Sequence, residues 1–198
     1  MTALRSFLAT SAIALSSLTL CFGTGAQANP YDASMRDYLE AEVLLWVFDP
    51  IVIEAIRDQN ARHGTMPQAE IDALDQQWRA EVGTGDQPLV DAVLGHPASD
   101  FLRARSTESA GAISEIFLMD ANGLNVAATG PTSDYWQGDE AKFQDTFSVG
   151  PGAVHVGDVE FDESTQAYLG QISVSVTDPD TREVIGAVTI GLNADMLY

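Results

Sequence analysis

Ile113-Ser-Glu-Ile-Phe-Leu-Met-Asp-Ala-Asn-Gly-Leu-Asn-Val-Ala-Ala128 is the stretch on which the fold turns. Ile113–Met119 has the composition of a strand, Asp120-Ala-Asn-Gly123 that of a tight turn, and Leu124–Ala128 that of a returning strand, so the stretch reads as a β-hairpin. Asp-x-Asn-Gly also opens calcium loops. Here the third oxygen ligand and the closing Glu of such a loop are missing, and hairpin chemistry accounts for the residues. Up to Gly111 the apolar period is that of helices; beyond it the period is that of strands.

Downstream, Val154–Phe161 is a third strand and Asp162–Thr165 a turn. Gln166–Thr177 alternates, with Tyr168, Gly170, Ile172, Val174 and Val176 on one face and Leu169, Gln171, Ser173, Ser175 and Thr177 on the other. A turn at Asp178–Arg182 leads to the last strand, Val184–Leu192. Upstream, Met35, Leu39, Val43, Trp46, Ile53 and Ile56 recur at helical spacing, which predicts one long helix over Tyr31–Asn60 kinked at Asp49-Pro50. Leu44–Phe48 is apolar all round and should be covered by the rest of the domain. Thr65-x-x-Gln68 has the form of a capping box before a helix carrying Ile71, Leu74, Trp78 and Val82. Pro88–Leu94 is a third helix, and Ser99 or Asp100 caps a fourth that runs to about Thr107. His63 and His96 stand beside turn residues and read as solvated surface histidines. The expected class is α+β: an N-terminal helical half, then five antiparallel strands with one helical insertion after the second.

That insertion, Thr132–Phe147, gathers the residues with recognition chemistry. Asp134, Tyr135, Trp136, Gln137, Asp139 and Glu140 stand together with Lys142, the only lysine in the chain. Gly138 interrupts the chain and Asp139 can cap a short helix Glu140–Phe147 whose Phe143 and Phe147 face the core. Two readings of the aromatics stand side by side: Tyr135 and Trp136 close a hydrophobic core, or they line a pocket for a small polar molecule.

The ends and the composition narrow the function. Met1–Ala28 has a basic start, a short apolar run and Ala26-Gln-Ala28, the pattern of a secretory signal peptide cleaved after Ala28. The run is shorter than the ~20 residues of a membrane span. Leu20 before Cys21 fits a lipoprotein signal poorly. Cleavage leaves Asn29–Tyr198 as one domain without cysteine, resting on a core that buries roughly 70% of the unfolded surface. Nine basic residues face 29 acidic ones, a formal charge of −20, which disfavours nucleic acid and anionic lipid as partners.

The order of elements, with Ile116-Phe-Leu-Met-Asp-Ala-Asn-Gly123, Asp134-Tyr-Trp-Gln-Gly-Asp139, Gln171-Ile-Ser-Val-Ser-Val-Thr-Asp178 and Val184-Ile-Gly-Ala-Val-Thr-Ile-Gly191, resembles the PAS-like extracellular sensor domains called PDC or Cache, over about Tyr31–Leu192. The resemblance implies a periplasmic small-molecule-binding module, with its pocket between the concave sheet face and the insertion. By position, Tyr135, Trp136 and Lys142 would be loop contacts and Asp158 an acid for a ligand amine, with Asp134, Gln137, Asp139 and Tyr168 beside them. The Arg-x-Trp-Tyr core of the amino-acid-binding subgroup is absent here. The chain ends at Tyr198, where most members of the family continue into a membrane helix and a signalling module, so a stand-alone form is expected. It would act through a membrane receptor or a second copy along the N-terminal helix, with no cofactor and no membrane insertion after cleavage. The other reading of Asp158, Glu160, Asp162 and Glu163 is a solvated surface or, given enough converging oxygens, a calcium site. The mature chain has no Cys, three separated histidines and neither His-Glu-x-x-His nor Gly-x-Ser-x-Gly, so an enzyme is not expected.

Overall fold

The computed structural model describes residues 29–163 and 166–197. The signal-peptide assignment, with Cys21, lies outside them. The first helix, α1 (Asp32–Tyr38), continues as a π-helical turn over Leu39–Val43. The chain then leaves helical geometry: Asp49 is extended (ψ 140°), and its side chain accepts a hydrogen bond from the Ile51 N–H at 3.0 Å, starting α2 (Pro50–His63) with Pro50 at its first position. The single kinked helix expected from the sequence is therefore two helices, because proline both lacks the N–H that continuation requires and sterically excludes the preceding turn. The cover expected over Leu44–Phe48 is also incomplete. Trp46 and Val47 are buried, whereas Leu44 and Phe48 are exposed and Leu45 keeps 79% of its surface.

Next comes α3 (Gln68–Glu81), with Pro67 rather than Thr65 at its N-cap and no side-chain cap, so the expected capping box does not form. The extended Pro67 delays the first helical residue until Gln68 itself. Then α4 (Pro88–Leu94) begins under Glu81, whose carboxylate accepts from the Leu89 and Val90 N–H groups at 2.7 and 3.2 Å. Burial pushes this carboxyl up, but hydrogen bonds from Gln77 and these two N–H groups outweigh it and hold it below its usual value. The fifth helix, α5 (Pro97–Glu108), is capped by the His96 ring, not by Ser99 or Asp100.

The sheet has β1 (Ile113–Met119), β2 (Asn125–Ala128), β3 (Val154–Asp162), β4 (Ala167–Thr177) and β5 (Val184–Asn193) in the order β2-β1-β5-β4-β3, with all neighbours antiparallel. This is the α+β class with the PAS-like sheet anticipated above. One face carries Ile116, Leu118, Ile172, Val174, Val188 and Ile190, packed with Met35, Leu39, Val52, Ile56 and Leu102 from α1, the π-helical turn, α2 and α5. The other face carries Phe117, Met119 and Ala187, covered by Trp78 of α3, Val90 and Val93 of α4, and Tyr135 and Phe143 of the insertion. Within the insertion a single turn, α6 (Ala141–Gln144), stands where a longer helix was expected; Glu140, not Asp139, is its N-cap and caps without its side chain. Phe143 and Phe147 stack at 4.9 Å, the i, i+4 pairing that the sequence suggested. None of the described helices is long and apolar enough to cross a membrane.

Candidate functional site

Antiparallel register places side chains in rows across the sheet. On the face under the insertion, Met119, Ala187 and Ser175 form one row and Phe117, Thr189, Ser173 and His155 the next. Glu115, Gly191 and Gln171 form the third. The rows run from apolar to polar, and cover is lost in the same direction. In the middle row the Ser173 and Thr189 hydroxyls, both fully buried, bond to each other at 2.8 Å. In the third row Gln171 Nε2 donates to Glu115 Oε1 at 2.7 Å, reaching across the strand where Gly191 offers no side chain.

A β-bulge shapes this polar end. Ile113 pairs with Leu192 and Glu115 with Gly191, so β1 carries one residue, Ser114, more than its partner. The extra residue turns Ser114 beside Glu115: a Cβ on Gly191 would stand 2.6 Å from both Ser114 Oγ and Glu115 Cγ. A side chain at 191 would therefore displace the Ser114 and Glu115 side chains from their present places. Two open cavities meet at Ser114 and Glu115. One, of about 430 Å³, extends over Gly191, Gln171 and Leu169 to Gly157, Asp158 and Glu160 of β3. The other, of about 460 Å³, extends past Thr129 and Gly130 to Arg103, Ser106 and Thr107 of α5. The first is lined by carboxylates and the second holds a guanidinium.

The residues singled out in the sequence are distributed over several places. Tyr135 is buried, with 3% of its surface exposed, and stacks on Trp78 at 5.3 Å. Burial pushes its hydroxyl well above the ordinary range, and the nearby Asp120 carboxylate adds to the effect. Its ring closes the core. Trp136 is half-buried: its indole N–H donates to the Asn122 carbonyl at 2.9 Å, and its backbone pairs with Leu124 as an added bridge at the hairpin. Asp134, Trp136 and Asp139 line a separate cleft of about 310 Å³ against α3. There Asp75, a buried acid, accepts from the Tyr135 and Trp136 N–H groups at 2.9 and 3.1 Å, while Arg79 pairs with both Asp75 and Asp134. Gln137 is buried and donates to the Asp134 carbonyl.

Lys142, mostly buried, lies 5.4 Å above the Phe117 ring and is held by Glu140 Oε2 at 3.0 Å and Gln137 Oε1 at 3.3 Å. From the end of α6, Asp145 reaches His155 Nδ1 at 3.1 Å and ties the insertion to β3. Asp158 is exposed on β3 and shares the first cavity with Glu115. Tyr168 is exposed and packs edge-on against Phe161 at 5.2 Å. The structure thus brings Lys142 onto the sheet face and Asp158 to its polar end, and puts Tyr135 into the core.

Sequence reasoning missed Ser114, Glu115, Gln171 and Asp75. A bulge leaves no mark in local composition, and a polar residue on a strand reads as solvent-facing until its neighbours in the sheet are known. It also took His63 for a solvated residue. Its ring is within 2.9 Å of Asp120, which is fully buried and also accepts from Gln59 and from the Asn122 and Leu124 N–H groups. The acids Asp158, Glu160, Asp162 and Glu163 form no group fit for a metal ion among the described residues.

No family model matches the chain, and no curated protein matches it. Among solved structures, it is similar to the sensor domain of the histidine kinase DctB from Vibrio cholerae (11% identity, 83% of this chain and 51% of that one, TM-score 0.49). It is also similar to the sensory domain of the Campylobacter jejuni chemoreceptor Tlp3 (13% identity, 84% and 65%, TM-score 0.39). A third is the ligand-binding domain of the Pseudomonas aeruginosa amino acid chemoreceptor PctC in complex with GABA (12% identity, 78% and 62%, TM-score 0.36). The chain spans between about half and two thirds of the length of these structures. In the course of its chain, this protein resembles PDC/Cache-type sensor domains.

Proposed function

We propose that Asn29–Tyr198 is an exported sensor domain that binds a small amine- or carboxylate-bearing metabolite on the polar end of its sheet and passes the signal to a partner protein, without catalysis. The observation that carries this reading is the bulged pair Ser114 and Glu115 at the meeting point of two open cavities, with Gly191 clearing the floor between them. Glu115 and Gln171 can exchange their mutual hydrogen bond for bonds to an ammonium or amide, and Arg103 on the far side, whose Nη2 already donates to Asp100 and to the Leu94 carbonyl, has further N–H groups to offer a carboxylate. Lys142 and the Asp145–His155 tie hold the insertion over the adjoining row, so an occupant of the cavity meets a lid already attached to β3. Export follows from the Ala-x-Ala pattern before Asn29. Exposed Leu44, Leu45 and Phe48 at the break between α1 and α2 support docking of a receptor or a second copy along the N-terminal helices.

Thermal-shift screening of amines, amino acids and carboxylates tests the site. A ligand at 100 times its Kd stabilises the fold by about 2.7 kcal/mol. For a domain of this size that raises Tm by several degrees, at roughly 2–4 °C per kcal/mol. Glu115→Gln is expected to remove the response with the fold intact, and Trp136→Ala to lower Tm while the response persists. A response that survives Glu115→Gln and Gln171→Ala alike places the ligand elsewhere.

A further inference from the structure

A cavity of about 570 Å³ at the outer edge of β3 is bounded by Asn29, Tyr31, Asp158, Glu160 and Tyr168. Asp158 and Glu160 are both exposed there, and neither has an ion-pair partner among the described residues. Among the described residues no base lines this space. Asn29, which lines the same cavity as the two acids, is held by three hydrogen bonds. Its side-chain Nδ2 donates to the Gly157 carbonyl of β3 at 2.9 Å, its Oδ1 accepts from the Tyr31 N–H at 2.9 Å, and its carbonyl accepts from the Asp32 N–H at 3.2 Å. Terminal residues are ordinarily loose unless something ties them down. Here the tie falls on the residue directly after Ala26-Gln-Ala28.

We propose that this cavity seats the chain's own α-ammonium, created when the peptide bond between Ala28 and Asn29 is hydrolysed during export. Water adds across that bond under an exporting cell's leader peptidase. The Ala28 carboxylate leaves with the leader, and the Asn29 nitrogen, now an amine, takes up a proton at neutral pH. The clamp on Asn29 then holds the new cation at the edge of β3 beside Asp158 and Glu160. Before cleavage the same nitrogen is a neutral amide with one N–H and no charge to set against the two carboxylates. Asp158 also borders the cavity with Glu115, so seating the terminus fixes one wall of the ligand site. The amine that Asp158 meets is the chain's own, which leaves Glu115 to meet a ligand's. The inference rests on reading Met1–Ala28 as a leader, and the experiment separates the two.

The full-length precursor is expressed with export, and the intact mass of the secreted product gives its first residue. The product is then reductively methylated with 13C-formaldehyde. Because Lys142 is the only lysine, two labelled amines result, and the α-amine is titrated by NMR at low salt against an equally labelled Asn-Pro-Tyr-Asp peptide. The α-amine is expected to titrate about half a unit or more above the peptide. The excess should vanish in an Asp158→Asn, Glu160→Gln double variant and persist in a Glu70→Gln, Asp72→Asn control that removes the same charge from α3. An α-amine that titrates with the peptide, or an excess that the control removes equally, overturns the seat. A product starting elsewhere overturns the leader reading alone. A chain released at Asn29 from a fusion by a site-specific protease then carries the same ammonium, and its titration decides.

Discussion

His96 shows what a single side chain contributes that its sequence neighbours do not announce. Its Nδ1 accepts from the Ala98 N–H at 3.1 Å and so requires the neutral ring. Burial holds the imidazole below its ordinary value, with Arg62 adding to the effect. A depressed folded-state pKa means that the cap's contribution is complete above the unfolded value near 6.5 and is lost as pH falls through it toward the folded value. Urea unfolding is expected to show His96→Asn, which keeps an acceptor that does not titrate, overtaking the wild type by on the order of 1 kcal/mol between pH 7.5 and pH 5, the usual worth of a helix cap. An equal pH response in both would mean the ring does not cap. Tyr135 makes the complementary point. Tyr135→Ala should cost about 3–5 kcal/mol by chemical denaturation, because it empties the space beside Trp78. The sequence offered both a core and a pocket for the aromatic pair; the structure divides them, with Tyr135 in the core and Trp136 half-buried at the cleft against α3. That division depends on Asp75, sixty residues earlier, gripping the Tyr135 and Trp136 N–H groups, a partner that no local pattern announces.

Elements were more legible than contacts. Ile113–Met119 and Pro88–Leu94 fall at the expected bounds, and the other strands lie within a residue of theirs, because period-two alternation and Gly/Pro punctuation act locally. Caps were read less well: Thr65, Asp139 and Ser99 all have capping chemistry, yet Pro67, Glu140 and His96 hold the positions. Capping depends on where the backbone turns, and tertiary packing decides that. How elements are tied together was not legible at all. Arg57 of α2 forks onto Asp178 and Asp180 at the β4–β5 turn, joining the helical layer to the sheet. The Arg57 hydrogen bonds hold the Asp178 carboxyl well below the usual range, helped by the Asp180 and Thr181 N–H groups. Since that pKa is depressed on folding, the stabilisation is present above the unfolded value near pH 4 and disappears as acid carries the pH down through the folded one. Equilibrium acid unfolding should therefore become shallower below pH 4 in Asp178→Asn, which is also less stable than the wild type at pH 7. An unchanged acid limb would show that the fork does not contribute.

Across the whole molecule, charge sets two opposing terms that salt can separate. Twenty-nine acids against nine bases give a net −20, and their mutual repulsion weakens the compact state. Against it stand surface pairs such as Arg36–Asp32 at 2.9 Å and Arg105–Glu108 at 2.8 Å. Each exposed pair is worth about 0–1 kcal/mol and is itself screened. At 0.1 M salt the Debye length is about 10 Å, so raising the concentration screens acids spread over the surface more completely than partners in contact. The Arg57–Asp178 fork is the better protected, because Asp178 is buried. Repulsion should therefore be the term that salt removes. Calorimetry at pH 7 is expected to show Tm rising as NaCl goes from 10 mM toward 500 mM, with the rise shrinking near pH 4 as carboxylates protonate and the net charge falls. A Tm that drops with added salt at pH 7 would mean that ion pairs, and not the excess of acids, dominate the electrostatics of the fold.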